Sequence, residues 1–220
     1  MPMRWELDHV FIATADQRLE AIASEFGLVF DDHRRHRGQG TANACARFEN
    51  AFFELLFAAI PHELESDVVR PLGLKERIDW KQTGACPFGV CFRPVDDLPA
   101  GAILPFETWP YSPAYVPPGS SVPIVTPRRQ LLEPLLFLMR QPRSGTGGPG
   151  VMHRGSRRTL TAVNIHSPHK VVSASVEWFI DHGLVSVVPA TEYLLEMVWD
   201  HGKDDQLERL AQPFPLAVRW

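Results

Sequence analysis

The segment 5–12 alternates polar and apolar residues as a half-buried strand does, and it carries one imidazole among apolar side chains. Successive side chains of a strand point to opposite faces. The residues expected on the same face as His9 are Trp5, Leu7 and Phe11. This pattern predicts that His9 points inward.

A second apolar segment, 51–57, carries one carboxylate, Glu54, on the face that Phe52 and Leu56 share. A buried carboxylate is costly unless a hydrogen-bonding or positive group meets it, and an imidazole or a divalent cation would serve. His9 alone is equally explained as a satisfied core histidine, and Glu54 alone as a strand-end carboxylate that reaches solvent. Together they predict a site.

The first sixty residues predict the order β-α-β-β-β. Thr14 is a suitable helix N-cap, and apolar residues recur at helical spacing until Gly27. The predicted strands after the helix are 28–30, 44–48 and 51–57, with a polar loop at 31–43.

A related pattern returns near the C-terminus. A strand at 160–165 precedes a helix start at Ser167 and a helix end at Gly183. A further strand at 193–199 carries Glu196 among apolar residues. Because the unit is shorter than the first, it is interpreted as an eroded copy.

Between these units, 88–93 and 133–139 are predicted strands, separated by a segment rich in proline and aromatic residues. Such a segment must bury its rings, so we expect Phe106, Trp109 and Tyr115 to line a cleft; ordinary core packing under a long loop is the alternative. The expected fold is one α+β domain over 1–220, with units at about 1–60, 84–140 and 158–220.

Composition narrows the partners. The formal charge of the 220 residues is −4, without a long basic run, which argues against nucleic acid. The basic spot at 34–37 suits a small anionic ligand. No apolar stretch of membrane-spanning length and no signal-like N-terminus occur, so no membrane partner and a cytoplasmic location are expected. Cys45, Cys86 and Cys91 are predicted as buried free thiols.

Several segments together resemble the vicinal-oxygen-chelate superfamily, and more closely its glyoxalase-like domain proteins. They are Leu-Asp-His-Val at 7–10, His-Arg-Gly-Gln-Gly-Thr-Ala-Asn at 36–43, Phe-Glu-Leu-Leu at 53–56, Tyr-Val-Pro-Pro-Gly at 115–119 and Glu-Pro-Leu-Leu-Phe at 133–137. The resemblance implies paired βαβββ modules whose curved mixed sheet surrounds a cleft.

In metalloenzymes of this superfamily, the cleft holds a divalent metal, here Zn, Ni, Fe or Mn. The resemblance places His9 and Glu54 at ligand positions, and Glu196 roughly matches Glu54. The position that matches His9 falls at Ala162 in the C-terminal unit and near Gly89 in the middle unit, where Glu133 is one residue out of step with Glu54. Two or three ligands are therefore expected, with water, His36 or His166 completing the shell.

The leading hypothesis is a metal-dependent lyase, isomerase or dioxygenase with Glu54 as base. The alternative is a metal-free protein that binds or sequesters a small organic molecule. In either, a small ligand would be bound by His36, Arg37, Gln39, Thr41, Asn43, Trp109 and Tyr115. A structural protein with a vestigial cleft is a third hypothesis, and the cleft closes either within one chain or across a homodimer.

Overall fold

The computed structural model describes residues 3–16, 18–31, 34–99, 101–142, 159–204, 206–209 and 214–220. The strands in these residues are β1 (Trp5–Ala13), β2 (Arg34–His36), β3 (Thr41–Arg47), β4 (Phe52–Ala58), β5 (Phe88–Pro94), β6 (Trp109–Tyr111), β7 (Val122–Ile124), β8 (Leu135–Leu138), β9 (Leu160–Ser167), β10 (Ser186–Pro189), β11 (Leu194–Trp199), β12 (Leu207–Arg209) and β13 (Leu216–Arg219). The α-helices are α1 (Leu19–Phe26), α2 (Leu74–Ile78), α3 (Trp80–Thr83) and α4 (Ala174–Asp181), and short 3-10 helices cover Pro61–Glu65, Arg70–Leu72 and Asp200–Gly202.

Eight strands form one curved mixed sheet in the order β2-β3-β4-β1-β5-β8-β7-β6. The sheet consists of two four-stranded modules with the same internal order, joined where β1 and β5 pair antiparallel. In each module the first strand is parallel to the last, β1 to β4 and β5 to β8. The prediction of an α+β fold with paired modules is confirmed.

The two faces of this sheet carry different cores. One face, called here the back face, carries Val10, Phe53 and Phe92 and packs against α1, α4 and the second sheet. The other face, the cleft face, carries Phe11, Leu56 and a smaller apolar cluster that includes the helical segment after β4. Alternation along each strand therefore separates the packing core from the surface where ligands can bind.

Local structure differs from the sequence prediction at three places. The predicted strand 28–30 reduces to one bridge between Phe30 and Ala46, and β2 forms instead inside the predicted polar loop. The first helix begins at Leu19, because the Thr14 hydroxyl caps the turn by accepting from Asp16 N. The C-terminal helix begins later than Ser167, which still belongs to β9.

The C-terminal unit forms a separate five-stranded sheet in the order β10-β9-β11-β13-β12. Its first strand is parallel to β10 and antiparallel to β11, so its pairing is not that of a βαβββ module. Helix α4 covers the back of β5, where Phe179 stacks on Phe92 with ring centroids 4.8 Å apart. Glu133 accepts hydrogen bonds from the backbone N–H groups of Val172 and Ser173, directly before α4.

Among the described residues, no helix has the length and apolar character that crossing a lipid bilayer requires.

Candidate functional site

A cleft of about 650 Å³ opens on the cleft face of the eight-stranded sheet. The first module contributes most of its polar lining, and the second module contributes mainly apolar side chains. The first-module lining includes Asp8, His9, Arg34, His36, Gln39, Asn43 and Glu54, and the second-module lining includes Tyr111, Val122, Ile124, Leu135 and Phe137. The two walls of the cleft therefore differ in chemistry.

A bulge in β1 determines which side chains reach the cleft. Leu7 pairs with Phe92 and His9 pairs with Cys91, so Asp8 has no partner of its own across the strand pair. The extra residue turns both Asp8 and His9 to the cleft. The expected alternation is therefore wrong for Leu7 and for Trp5, which pack in the back-face core.

The imidazole of His9 lies between two carboxylates. Its Nδ1 is 2.7 Å from Asp8 Oδ1, and its Nε2 is 3.7 Å from Glu54 Oε2. The ring also stacks on Phe52 with centroids 4.3 Å apart. A charged Asp8 can only accept, so Nδ1 carries the proton of that hydrogen bond and Nε2 faces Glu54.

Asp8 is held in its charged form. Burial opposes that charge, but hydrogen bonds and charges from His9 and Arg93 outweigh burial and lower the pKa of Asp8. Arg93 donates to Asp8 Oδ2, Glu6 Oε1 and the Asn50 carbonyl, each at 2.7 Å. Asp8 is thus an anchored acceptor that orients His9.

Glu54 is 5 % exposed. Its Oε1 accepts a hydrogen bond from Asn43 Nδ2 at 2.7 Å, which leaves Oε2 toward His9. Cys45 lies opposite Glu54 in the strand pair. Burial, with the nearby charge of Glu54, raises the pKa of the Cys45 thiol to about 12, so this cysteine is a neutral part of the lining at physiological pH.

The segment between β6 and β7 is fastened to the turn after β2 by Gln39. The hydroxyls of Tyr111 and Tyr115 both donate to Gln39 Oε1 at 2.8 Å, and Gln39 Nε2 donates to Thr41 Oγ1 at 2.7 Å. Burial raises the pKa of Tyr115 to about 12, so its hydroxyl remains a donor. His36 contacts the same network through Thr41, and burial lowers the pKa of His36.

The structure brings together some of the residues singled out in the sequence and separates others. His9, Glu54, His36, Gln39, Asn43 and Tyr115 line the cleft. Thr41 is buried beneath it. Trp109 and Arg37 are not among its lining residues; the Trp109 indole donates to the Thr126 carbonyl.

Two expectations need correction. Phe106 does not reach the cleft; it packs against Trp178 and Phe179 in the back-face core. Glu196 lies in the second sheet, where it accepts from Arg219 Nε at 2.7 Å, and the structure does not bring it to His9 and Glu54. The cause is that β11 belongs to a sheet with different strand pairing.

Strand register identifies the second-module positions that match His9 and Glu54. Across the β1–β5 pair, His9 lies opposite Cys91 and Phe11 opposite Gly89, so the pseudo-twofold arrangement matches His9 with Gly89. Glu54 lies opposite Phe11 in the first module as Phe137 lies opposite Cys91 in the second. Glycine and phenylalanine therefore occupy the two places where further ligands would be needed.

The residues present do not fit a tightly held metal. The described His, Cys, Asp and Glu side chains that could share an ion are Asp8, His9 and Cys91, within 4.8 Å of one another. Arg93 already neutralises Asp8, and burial raises the pKa of the Cys91 thiol well above 9.0, which disfavours the thiolate that binds metals. On the other side, His9 and Glu54 supply two ligands, whereas catalytic metal sites use three or more protein ligands as a rule.

Comparison with known proteins agrees with this architecture. The model of a family described as a glyoxalase-like domain matches residues 7–103. Residues 7–103 form a glyoxalase-like domain. This match confirms the resemblance to the vicinal-oxygen-chelate superfamily. No curated protein sequence matches the chain.

Three solved structures were compared with the chain. A hypothetical protein of Staphylococcus aureus is 9 % identical, with a TM-score of 0.53 and coverage of 98 % of both chains. A hypothetical protein of Bacillus halodurans is 16 % identical, with a TM-score of 0.40, covering 64 % of this chain and 99 % of that one. Methylmalonyl-CoA epimerase of Mycobacterium tuberculosis is 17 % identical, with a TM-score of 0.36, covering 60 % and 85 %. The first likeness shows the fold over nearly the whole chain.

Sequence reasoning missed three lining residues of the glyoxalase-like cleft. Asp8 was hidden by the bulge, although its place beside His9 was a usable signal. Arg34 stood out only as part of a basic spot, and Tyr111 only as one aromatic residue of a proline-rich segment. Long-range pairing decides which of these side chains meet, and such pairing leaves no local trace in the sequence.

Gly89→Ala is expected to destabilise the glyoxalase-like domain by about 1 to 3 kcal/mol, as overpacking does. A Cβ at Gly89 would lie 2.1 Å from the Phe11 ring, which fills the place that matches the His9 side chain. Urea unfolding measures the loss. In Phe11→Ala the same glycine substitution should cost little, so full additivity of the two changes would contradict the assigned packing.

Proposed function

We propose that the chain is an enzyme that transfers protons on a small organic molecule bound in the glyoxalase-like cleft, as lyases and isomerases do. His9 and Glu54 are the acid–base pair of this proposal. The observation that supports it is the line of Asp8, His9 and Glu54, in which one carboxylate orients the imidazole and the other lies 3.7 Å from its free side.

The separation between His9 Nε2 and Glu54 Oε2 is longer than a hydrogen bond, so both atoms are free to meet a ligand. Asn43 stabilises the charged form of Glu54 by donating to the other oxygen. Asp8 in the same way stabilises a positive charge on His9. The pair therefore offers one group that accepts a proton and one that donates it.

In the proposed reaction, Glu54 Oε2 takes a proton from a carbon beside a carbonyl group. The electron pair of that C–H bond moves into the carbonyl, and His9 gives its Nε2 proton to the carbonyl oxygen, which yields an enol. Return of a proton to another face or carbon completes an isomerisation, and loss of a leaving group completes an elimination. Acid–base groups of this kind typically accelerate such steps by about 10² to 10⁴-fold.

The metal-dependent lyase, isomerase or dioxygenase predicted from the sequence stays a prediction. Related proteins bind divalent metals, but Gly89 and Phe137 stand where the second module would supply ligands. The proposal therefore needs no step that runs through a metal.

The experiment that tests the proposal is hydrogen exchange in deuterium oxide, followed by proton NMR. Phenyl alkyl ketones, with and without a carboxylate at the far end of the chain, are the probes. Wild-type protein should speed the loss of the signal of the protons beside the carbonyl, and Glu54→Gln should not. Exchange at the buffer rate for every probe that binds would contradict the enzyme proposal.

Metal-free sequestration is the second candidate. The observation that favours it is the apolar second-module wall, which has no group that could react with a ligand apart from a tyrosine hydroxyl already donated to Gln39. Binding of a probe without exchange is the result that distinguishes sequestration from catalysis.

A further inference from the structure

We infer that the molecule bound in this cleft is an amphipathic organic anion, whose apolar body lies against the second module and whose acidic group is bound by Arg34. This inference rests on the proposed function for the site, and it adds the chemical class of the substrate. Its support comes from the polarity of the walls, the charges around the cleft and the spacing of the strands.

The second-module wall is built to contact an apolar group. Val122, Ile124, Leu135 and Phe137 line it, and the Phe137 ring meets the edge of His9 with centroids 5.3 Å apart. A cleft of about 650 Å³ with mainly hydrophobic lining and a few polar groups is typical of sites for small organic molecules. Water alone would leave this wall exposed to solvent at a cost in free energy.

The charges around the cleft leave one cation available. Of the two arginines in the lining, Arg47 donates to Asp31 at 2.8 Å. Arg34 has no ion-pair partner in the part of the chain that the structure describes. Asp8 is neutralised by Arg93 from outside the cleft. A ligand with one negative charge would complete this arrangement.

Arg34 is directed at the cleft rather than away from it. It lines the cleft, and its positive charge acts on three other lining residues, His36, Cys45 and Tyr115. Guanidinium groups bind carboxylate and related anions through two parallel hydrogen bonds. The position of Arg34 therefore fits recognition of an acidic group.

The strand register gives the distance between the two ends of the ligand. Arg34 lies opposite Asn43, and Asn43 lies opposite Leu56 on the strand of Glu54. Two strand spacings correspond to about 10 Å. The acidic group is therefore several bonds away from the carbon that meets His9 and Glu54, and it is not part of the reacting centre.

Two dyes with the same ring system test this inference without any turnover. Anilinonaphthalene sulfonate carries one negative charge, and phenylnaphthylamine carries none. Fluorescence titration of wild-type protein should give tighter binding of the sulfonate. Arg34→Gln should weaken sulfonate binding about tenfold and leave the neutral dye unchanged, because it removes a charge-assisted hydrogen bond.

Arg35→Gln is the matched control, since Arg35 is the next residue on the same exposed strand and does not line the cleft. It should change neither affinity. Equal binding of the two dyes by wild-type protein, equal effects of the two substitutions, or no binding of either dye would overturn the inference. A loss of exchange activity without these effects, or these effects without exchange activity, tells failure of one proposal from failure of the other.

Discussion

Glutamine in place of His9 is expected to lower the rate of ketone exchange by at least about a hundredfold, because general acid–base groups contribute about 10² to 10⁴-fold. The amide keeps the size and polarity of the side chain but cannot take up and release a proton at the position of Nε2. Binding of the neutral dye should stay within about twofold of wild type, since the apolar wall is intact. The measurement is the exchange rate at saturating ketone, with dye affinity measured on the same preparation.

His166→Gln is the matched control for this change. His166 also lies near a glutamate, with Nε2 3.2 Å from Glu196 Oε2, but in the second sheet. It should leave the exchange rate unchanged. Asp8→Asn should reduce the rate less than His9→Gln does and should shift its pH profile, because Asp8 acts only by orienting and charging the imidazole. Equal rates in His9→Gln and wild type would remove His9 from the mechanism.

Arg77→Met is expected to have the largest effect on stability, about 3 to 5 kcal/mol, as removal of a buried charged partner does. The guanidinium is 1 % exposed and donates to four backbone carbonyls, those of Leu72, Cys86, Gln130 and Glu133. Methionine fills much of the volume but leaves these carbonyls without donors. Urea unfolding followed by tryptophan fluorescence gives the change in the free energy of unfolding.

Arg70→Met is the control, because Arg70 pairs only with the exposed Asp67. That change should stay within about 1 kcal/mol of wild type. The arginine at position 77 ties the segments that lead into β5 and β8, so its loss should also weaken dye binding at the second-module wall. A loss of stability in Arg77→Met no greater than that in Arg70→Met would contradict this account.

The module architecture could be predicted from the sequence because its signals are local. Alternating residues mark β1 and β4, and Gly27 ends α1 in the left-handed conformation, with φ of 64°. The second sheet could not be predicted in the same way. The pattern before Gly183 correctly indicated a helix and a following strand, but whether β9 pairs parallel or antiparallel with its neighbours depends on contacts far along the chain.

The candidate site was predictable in part for the same reason. His9 and Glu54 are visible as polar residues among apolar ones, and the structure places both at one cleft. Asp8 was not predicted because a bulge, which shifts the alternation by one residue, is set by pairing with β5. Glu196 resembles Glu54 in local sequence, yet it lies in another sheet and pairs with Arg219.

The exchange rate before and after removal of metals tests the central claim most directly. Wild-type protein is dialysed against a strong chelator, its metal content is measured, and exchange of the carboxylate-bearing ketone is followed with and without added zinc, nickel, iron or manganese. The account predicts the same rate in all samples, lost in His9→Gln and in Glu54→Gln. A rate that falls to the buffer level after chelation and returns with one of these metals would contradict it.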